Sequence, residues 1–168
     1  MPLVIRSETP GDAAAIQAVH EACFPGPLEA RLVEALRGAG KLSISLVGCV
    51  EGQVVGHVAF SPVVAGETTG LGLAPVGVLE AFRRQGISQR LIEDGLSRAR
   101  QLPFGYVVVL GDPQYYGRFG FEPASRYGLV DEYGGGDAFQ VVATQPNGIP
   151  RDAGLVRYAT EFGIFLDS

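Results

Sequence analysis

The sequence has few of the residues that build disulfide frameworks, metal centres or nucleic-acid surfaces. Its two cysteines, Cys23 and Cys49, are far apart and in no ligand spacing, so neither a disulfide framework nor a zinc site is predicted. Charged residues make up 18% of the chain, the net charge is −5, and basic residues are scattered except at Arg83-Arg84. This distribution argues against a nucleic-acid or anionic-membrane partner and favours a cationic substrate.

Long apolar runs are also missing. No stretch reaches the roughly 18 apolar residues that a membrane-spanning helix needs, and the first ten residues do not follow the pattern of a secretory leader. We therefore expect a cytoplasmic protein. At 168 residues, with 46% of them hydrophobic, the chain is predicted to form one domain over residues 1–168 with a sizeable core.

The first half of the sequence alternates between strand and helix signals. An apolar run at residues 3–6 predicts a strand, and Thr9, Pro10 and Asp12 then form a capping-box pattern that predicts a helix start. Apolar residues at helical spacing indicate two helices, one before and one after the Pro25-Gly26-Pro27 break. Period-two alternation over residues 43–61, interrupted by Glu51-Gly52, predicts a β-hairpin.

The second half predicts a crossover between two central strands. Residues 71–79 are apolar on both faces, as in a central strand, but Pro75 cannot donate to a ladder, so a bulge or a parting of strands is expected there. An amphipathic helix follows Gly86, and the β-branched run 106–110 predicts a second, parallel strand. Asp112-Pro113 predicts a short helix, and further strands are expected at 139–144 and 155–158. The fold class is α/β.

The junction between strand and helix at residues 83–88 has the features of an anion site. Backbone N–H groups around Gly86 and Ser88 would point out of the first helical turn, where they have no intrahelical acceptor and the helix dipole adds partial positive charge. Phosphate oxygens are the natural partners of such groups. A P-loop is disfavoured because the loop lacks Gly-Lys-Ser or Gly-Lys-Thr, and a Rossmann motif is disfavoured because Gly70-Leu71-Gly72 precedes an apolar strand instead of a helix.

Two motifs, in their order along the chain, resemble those of the GNAT superfamily of N-acetyltransferases, in particular of a subgroup of small bacterial predicted acetyltransferases. Arg83, Gly86 and Ser88 occupy the places of the acetyl-CoA motif, in which the family has Gly or Ala where this chain has Ser88. The second motif is a tyrosine four residues before a Gly-Phe pair, as in Tyr116 and Gly120-Phe121. The resemblance implies a mostly antiparallel mixed sheet with a parallel pair splayed at a bulge and helices on both faces.

The resemblance also implies a cosubstrate and a reaction. It implies direct transfer of an acetyl group from acetyl-CoA to a primary amine, without a metal. The pyrophosphate would bind the backbone of the loop formed by Arg83, Arg84, Gln85, Gly86, Ile87 and Ser88. The pantetheine arm would pair with the backbone of Val76, Gly77 and Val78.

Two side chains are candidates for the proton transfers. Tyr116 matches the family's donor to the leaving thiolate, the alternative being an aromatic that packs beside Tyr115. His57, on the predicted strand with Val55 and Ala59, is a candidate base for the amine, the alternative being a core histidine with satisfied ring nitrogens. Glu80 and the acidic group Asp131, Glu132 and Asp137 could attract an amine or could be polar loop residues.

Several questions stay open at this stage. The acceptor is a small molecule, a peptide N-terminus or a protein lysine, because acceptor pockets in such folds come from N-terminal helices and late loops. The acyl group could be longer than acetyl, and a homodimer is compatible with the sequence. A non-catalytic acyl-CoA-binding or regulatory module is the alternative to an enzyme.

Overall fold

A computed structural model of the chain describes residues 2–166. Its Cα positions group into two compact units. The described part of the first consists of residues 2–60, 74–95 and 161–166, and the second of residues 61–73 and 96–160. Two strands and one helix continue from one unit into the other, and the prediction of a single domain stays a prediction.

The first unit contains an antiparallel sheet edge and two helices. Strands β1 (Leu3–Ser7), β2 (Ile44–Val50) and the first part of β3 (Gln53–Ala65) pair in that order, with a register shift between Gly48 and Cys49. The turn that joins β2 to β3 places Glu51 and Gly52 at φ of 51° and 78°, which confirms the predicted hairpin. Helices α1 (Ala13–Cys23) and α2 (Leu28–Gly38) lie between β1 and β2 in the chain and contact each other.

The start of α1 follows the predicted capping pattern. The backbone N–H of Thr9 donates to Asp12 Oδ2 at 2.6 Å, and Pro10 opens the 3₁₀ turn that leads into the helix. Asp12 also receives both terminal nitrogens of Arg6, at 2.7 and 3.0 Å, and the hydrogen bond from Arg6 lowers the pKa of the Asp12 carboxyl. The buried face of α1 consists of Ile16, Val19 and His20.

The second unit holds the parallel pairs. Strand β4 (Thr68–Val78) pairs parallel with β5 (Tyr106–Leu110) at Leu71 and Gly72, and Pro75 follows in β4. Strand β8 (Phe139–Ala143) pairs antiparallel with β5 on one side and with β6 (Glu122–Pro123) on the other. Strand β9 (Gly154–Tyr158) pairs antiparallel with the end of β3. It also pairs parallel with β7 (Leu129–Asp131). The predicted mixed, mostly antiparallel sheet is confirmed. The short strands β6 and β7 were not predicted.

Two further helices follow the sequence signals closely. Helix α3 (Ile87–Ala99) begins directly after Gly86 and carries buried Leu91, Ile92, Leu96 and Ala99 on one stripe. Helix α4 (Pro113–Tyr116) is capped by Asp112, whose carboxylate accepts from the Gln114 backbone N–H at 2.9 Å, and a 3₁₀ turn extends it to Phe119. Gly120 then ends the element at φ 94°. No helix among residues 2–166 is long and apolar enough to cross a membrane.

Candidate active site

The loop between β4 and α3 adopts the backbone that an anion site requires. Arg84 and Gly86 have φ of 65° and 77°. A Cβ on Gly86 would meet no atom within 4 Å, so glycine is favoured at this position by the left-handed backbone and not by a lack of space for a side chain. The first i→i−4 bond of α3 runs from the Arg90 N–H to the Gly86 carbonyl. In an α-helix the N–H groups of the first turn precede the first such bond and are the groups that bind an anion. Residues 83–86 are exposed.

The side chain of Arg83 binds the protein itself. Its Nε donates to the Val78 carbonyl at 2.9 Å, and the Cys23 thiol donates to the same carbonyl at 3.2 Å. Both lone pairs of that oxygen are therefore occupied. Arg83 thus fixes the loop to the end of β4, a role that the sequence did not indicate.

Glycine at position 77 allows α1 to pack closely against β4. Val76 is half-buried and Gly77 is buried. A Cβ built on Gly77 would lie 3.0 Å from Cys23 Sγ and 3.4 Å from His20 Nδ1. A side chain at position 77 would therefore collide with Cys23, and glycine is required for the close contact between α1 and β4.

His57 lies in a buried chain of hydrogen bonds. Its Nδ1 lies 2.8 Å from His20 Nε2, and its Nε2 lies 2.8 Å from Ser45 Oγ. Ser45 donates to Glu8 Oε1, and Glu8 is held by Arg37 through two nitrogens at 2.8 and 3.2 Å. Both imidazoles have an exposed fraction of zero, whereas the carboxylate of Glu8 retains 15% of its side-chain surface.

Burial sets the protonation of the two histidines. Desolvation lowers the pKa of His20 to about 4. Desolvation also lowers the pKa of His57, and the neighbouring His20 and Arg37 lower it further. Both rings are therefore neutral near pH 7. His20 was not among the predicted site residues, although it follows Ile16 by four positions on the buried stripe of α1 and its spacing could have identified it.

Tyr116 belongs to the second unit and lies among aromatic rings. It packs edge-on against Phe121 and Tyr115, with centroids 5.8 and 5.1 Å away, and is tilted against Phe119 at 6.3 Å. A Cβ on Gly111 would lie 2.5 Å from its ring, so glycine is needed there. Burial raises the pKa of the Tyr116 phenol to about 12, with a smaller contribution from Tyr115.

The acidic residues after Phe121 mostly accept hydrogen bonds from backbone N–H groups. Asp131 accepts from the N–H groups of Tyr133 and Gly135 at 3.1 and 2.9 Å. Glu132 accepts from the Tyr158 N–H at 2.8 Å.

Both cysteines are free thiols, and within residues 2–166 no group of His, Cys, Asp or Glu is arranged to hold a metal ion.

Comparisons with known proteins give the class of the molecule. The profile of the Acetyltransferase (GNAT) family matches residues 13–121, well over half of the chain. The chain is 41% identical over 167 residues to the uncharacterized N-acetyltransferase YhbS of Escherichia coli K12, covering 97% of this chain and all of that protein. The fold is that of the GNAT acetyltransferases. The chain belongs to the GNAT family of acetyltransferases and is an enzyme of the acyltransferase class.

Two solved structures share both sequence and fold with the chain. The E. coli YhbS structure in complex with CoA has a TM-score of 0.90 at 40% identity and covers 96% of this chain and 92% of that one. A GNAT acetyltransferase from Brucella melitensis in complex with acetyl-CoA has a TM-score of 0.81 at 39% identity and covers 96% of this chain and 98% of that one.

Proposed function

We propose that this acetyltransferase moves the acetyl group of acetyl-CoA directly to a primary amine. The observation that carries the proposal is the loop at residues 83–88, where the left-handed φ of Gly86 precedes the first turn of α3. Backbone N–H groups of that turn suit a pyrophosphate. The relatives solved with CoA and acetyl-CoA support the same cosubstrate for this chain.

Each part of the cosubstrate has candidate partners in the first unit. The pyrophosphate would bind the backbone of Arg84, Gln85, Gly86, Ile87 and Ser88, while Arg83 holds the loop to Val78. The pantetheine arm would pair with the backbone of residues 76–78. Because the Val78 carbonyl already accepts two hydrogen bonds, that pairing would not use it. Acetyl-CoA supplies an activated thioester carbonyl and a thiolate leaving group.

Tyr116 is proposed as the donor to the leaving sulfur. With a pKa of about 12, the phenol keeps its proton throughout the physiological range. Complete transfer to a thiolate of pKa about 8.5 would be unfavourable by about 5 kcal/mol. Tyr116 therefore stabilises the departing thiolate by a hydrogen bond, and the thiolate can then take its proton from water.

His57 is proposed to act in the removal of the amine proton. A basic amine arrives mostly protonated at pH 7, so the reaction needs a base or a route to solvent. The His57 ring is completely buried and both of its nitrogens have partners. It therefore serves as a link in a chain of proton acceptors and does not touch the amine.

A thiol-release assay with acetyl-CoA and a panel of amines tests the proposal. The panel should contain polyamines, peptides with free N-termini and lysine peptides, with N-acetyl products identified by mass. We expect amine-dependent release of CoA with at least one class. Measurable CoA affinity without transfer to any amine would favour a non-catalytic acyl-CoA-binding module.

A further inference from the structure

A buried amide side chain of the second unit bridges two backbone carbonyls close to Tyr116. Gln140 of β8 is 1% exposed, and its Nε2 donates to the carbonyl of Gly111 at 3.2 Å and to that of Ala138 at 3.3 Å. Because both partners are acceptors, the NH₂ group and not the amide oxygen faces them. The side chain of Gln140 therefore joins the backbone that follows β5 to the backbone that precedes β8.

The backbone of Gly111 is held through both of its polar groups. Its N–H donates to the Ala138 carbonyl at 2.9 Å, while its carbonyl accepts from Gln140. Strands β5 and β8 pair antiparallel as far as Leu110 opposite Phe139, so these two bonds extend the pairing by one residue. The sheet consequently still fixes the backbone at Gly111, where β5 itself has ended.

The ring of Tyr116 packs against this fixed glycine. A Cβ on Gly111 would lie 2.5 Å from Cε2 and 3.0 Å from Cδ2 of the ring, so the phenol lies directly against the Gly111 Cα. Helix α4 begins two residues further on, at Pro113, after its cap at Asp112. The aromatic rings around Tyr116 come from residues 115–121 of the same segment. Gly111 therefore connects this aromatic segment to the sheet.

We propose that Gln140 is a positioning residue that holds the Tyr116 hydroxyl at the place where it donates to the leaving sulfur. The inference rests on the proposed acetyl transfer and on the role proposed for Tyr116. Gln140 does not touch the substrate and acts by keeping the Gly111 backbone in place. A donor has to be aimed at the atom on which charge develops, and a displacement of about 1 Å can cost on the order of 100-fold in rate.

Gln140→Met tests the proposal, because it removes both hydrogen bonds and keeps an unbranched side chain of similar size. With the best amine from the thiol-release panel, we expect turnover to fall about tenfold, while the CoA affinity measured by isothermal titration stays at the parental value. Gln145→Met is the matched control, since Gln145 Nε2 also donates to two backbone carbonyls, those of Arg100 at 3.0 Å and Leu102 at 3.2 Å. The control should keep parental turnover.

A double-mutant cycle with Tyr116→Phe distinguishes positioning from a general structural role. If Gln140 acts through the Tyr116 hydroxyl, its substitution has nothing left to misplace once that hydroxyl is absent. Turnover of the double variant should therefore match that of Tyr116→Phe within about twofold. A structural role would lower turnover by the same factor in both backgrounds, and that result would overturn the proposal.

Gln140→Glu provides the test if Gln140→Met does not fold. The introduced carboxyl has the shape of the amide but donates to a carbonyl only when it is protonated, and burial beside carbonyl oxygens raises its pKa. Turnover relative to the parent at the same pH should therefore rise as the pH is lowered from about 9 to about 5.5. A ratio that does not change with pH would overturn the proposal.

The outcomes separate this inference from the proposed function. Transfer by the parent, together with parental turnover of Gln140→Met, would overturn the positioning role and leave acetyl transfer intact. Parental turnover of Tyr116→Phe would also overturn the positioning role, because there would be no donor to hold. Absence of transfer by the parent to any amine in the panel would overturn both.

Discussion

His20 Nε2 on α1 lies 2.8 Å from His57 Nδ1 on β3, a buried contact between residues 37 positions apart in the chain. The contact connects a helix facing Gly77 of β4 to the Ser45–Glu8–Arg37 network. Two neutral imidazoles in direct contact have consequences for stability as well as for chemistry.

The free energy of unfolding should fall as the pH drops from about 6.5 to about 4. In the unfolded chain both histidines bind protons below their ordinary pKa of 6.5, whereas in the folded chain the pKa of His20 is about 4 and that of His57 is also lowered. The stabilisation is therefore complete above pH 6.5 and is lost on acidification, with a contribution from His20 of about 3 kcal/mol. Urea titrations between pH 4 and 7.5 measure it.

A direct titration of the rings provides the control. The ¹⁵N resonances of His20 should report a midpoint near pH 4, and Asp12, whose ordinary pKa is 3.8, contributes only at lower pH. A His20 midpoint near 6.5, with flat stability across the range, would contradict the burial that we describe.

Gly86→Ala should weaken CoA binding about tenfold or more and lower stability by about 1 kcal/mol, because an L side chain is strained at φ 77°. Isothermal titration with CoA and thermal unfolding measure the two effects. Gly38→Ala is the matched control, since that glycine lies at the end of α2 with open space around its Cβ and should leave both quantities near the parental values. Unchanged affinity in folded Gly86→Ala would remove the loop from the cosubstrate site.

Tyr116→Phe should lower turnover about 10-fold to 100-fold without changing CoA affinity, because it removes only the donor to sulfur. Tyr115→Phe is the control, since phenylalanine preserves a ring beneath Arg118, whose guanidinium carbon lies 4.7 Å from the ring centroid. Steady-state thiol release measures both variants. Equal turnover of the parent and Tyr116→Phe would exclude Tyr116 as the donor.

Gly77→Ala should lower the free energy of unfolding by about 1–3 kcal/mol, because its methyl group would lie 3.0 Å from Cys23 Sγ and 3.4 Å from His20 Nδ1. Gly48→Ala is a matched strand glycine whose Cβ would have ordinary contacts of 3.4 Å or more. Turnover and thermal unfolding should be measured together. Parental stability of Gly77→Ala would contradict the close contact between α1 and β4 at this glycine.

Local signals predicted much of the fold. The capping box of Thr9 and Asp12 and the cap at Asp112 depend on contacts within a few residues, and the β-branched run of β5 is unambiguous in sequence. The pairs that involve β6 and β7 were missed because strands of two or three residues carry no periodicity.

The buried hydrogen-bond chain from His20 to Glu8 could be predicted only in part. His57 was selected from its position on β3, but its partners depend on long-range register: Val47 pairs with His57 and Ser45 pairs with Ala59, which makes Ser45 the diagonal neighbour of His57 on β2. The contact with His20 depends on how α1 packs against the sheet. No spacing in the sequence encodes that packing.

Direct acetyl transfer is tested by comparing two products of one reaction. With acetyl-CoA labelled with ¹³C in the acetyl group and an amine accepted in the panel, we predict one labelled N-acetyl amide, detected by ¹³C NMR and mass, for each CoA released. CoA release without a labelled amide, or CoA binding without either product for every amine in the panel, would contradict direct transfer.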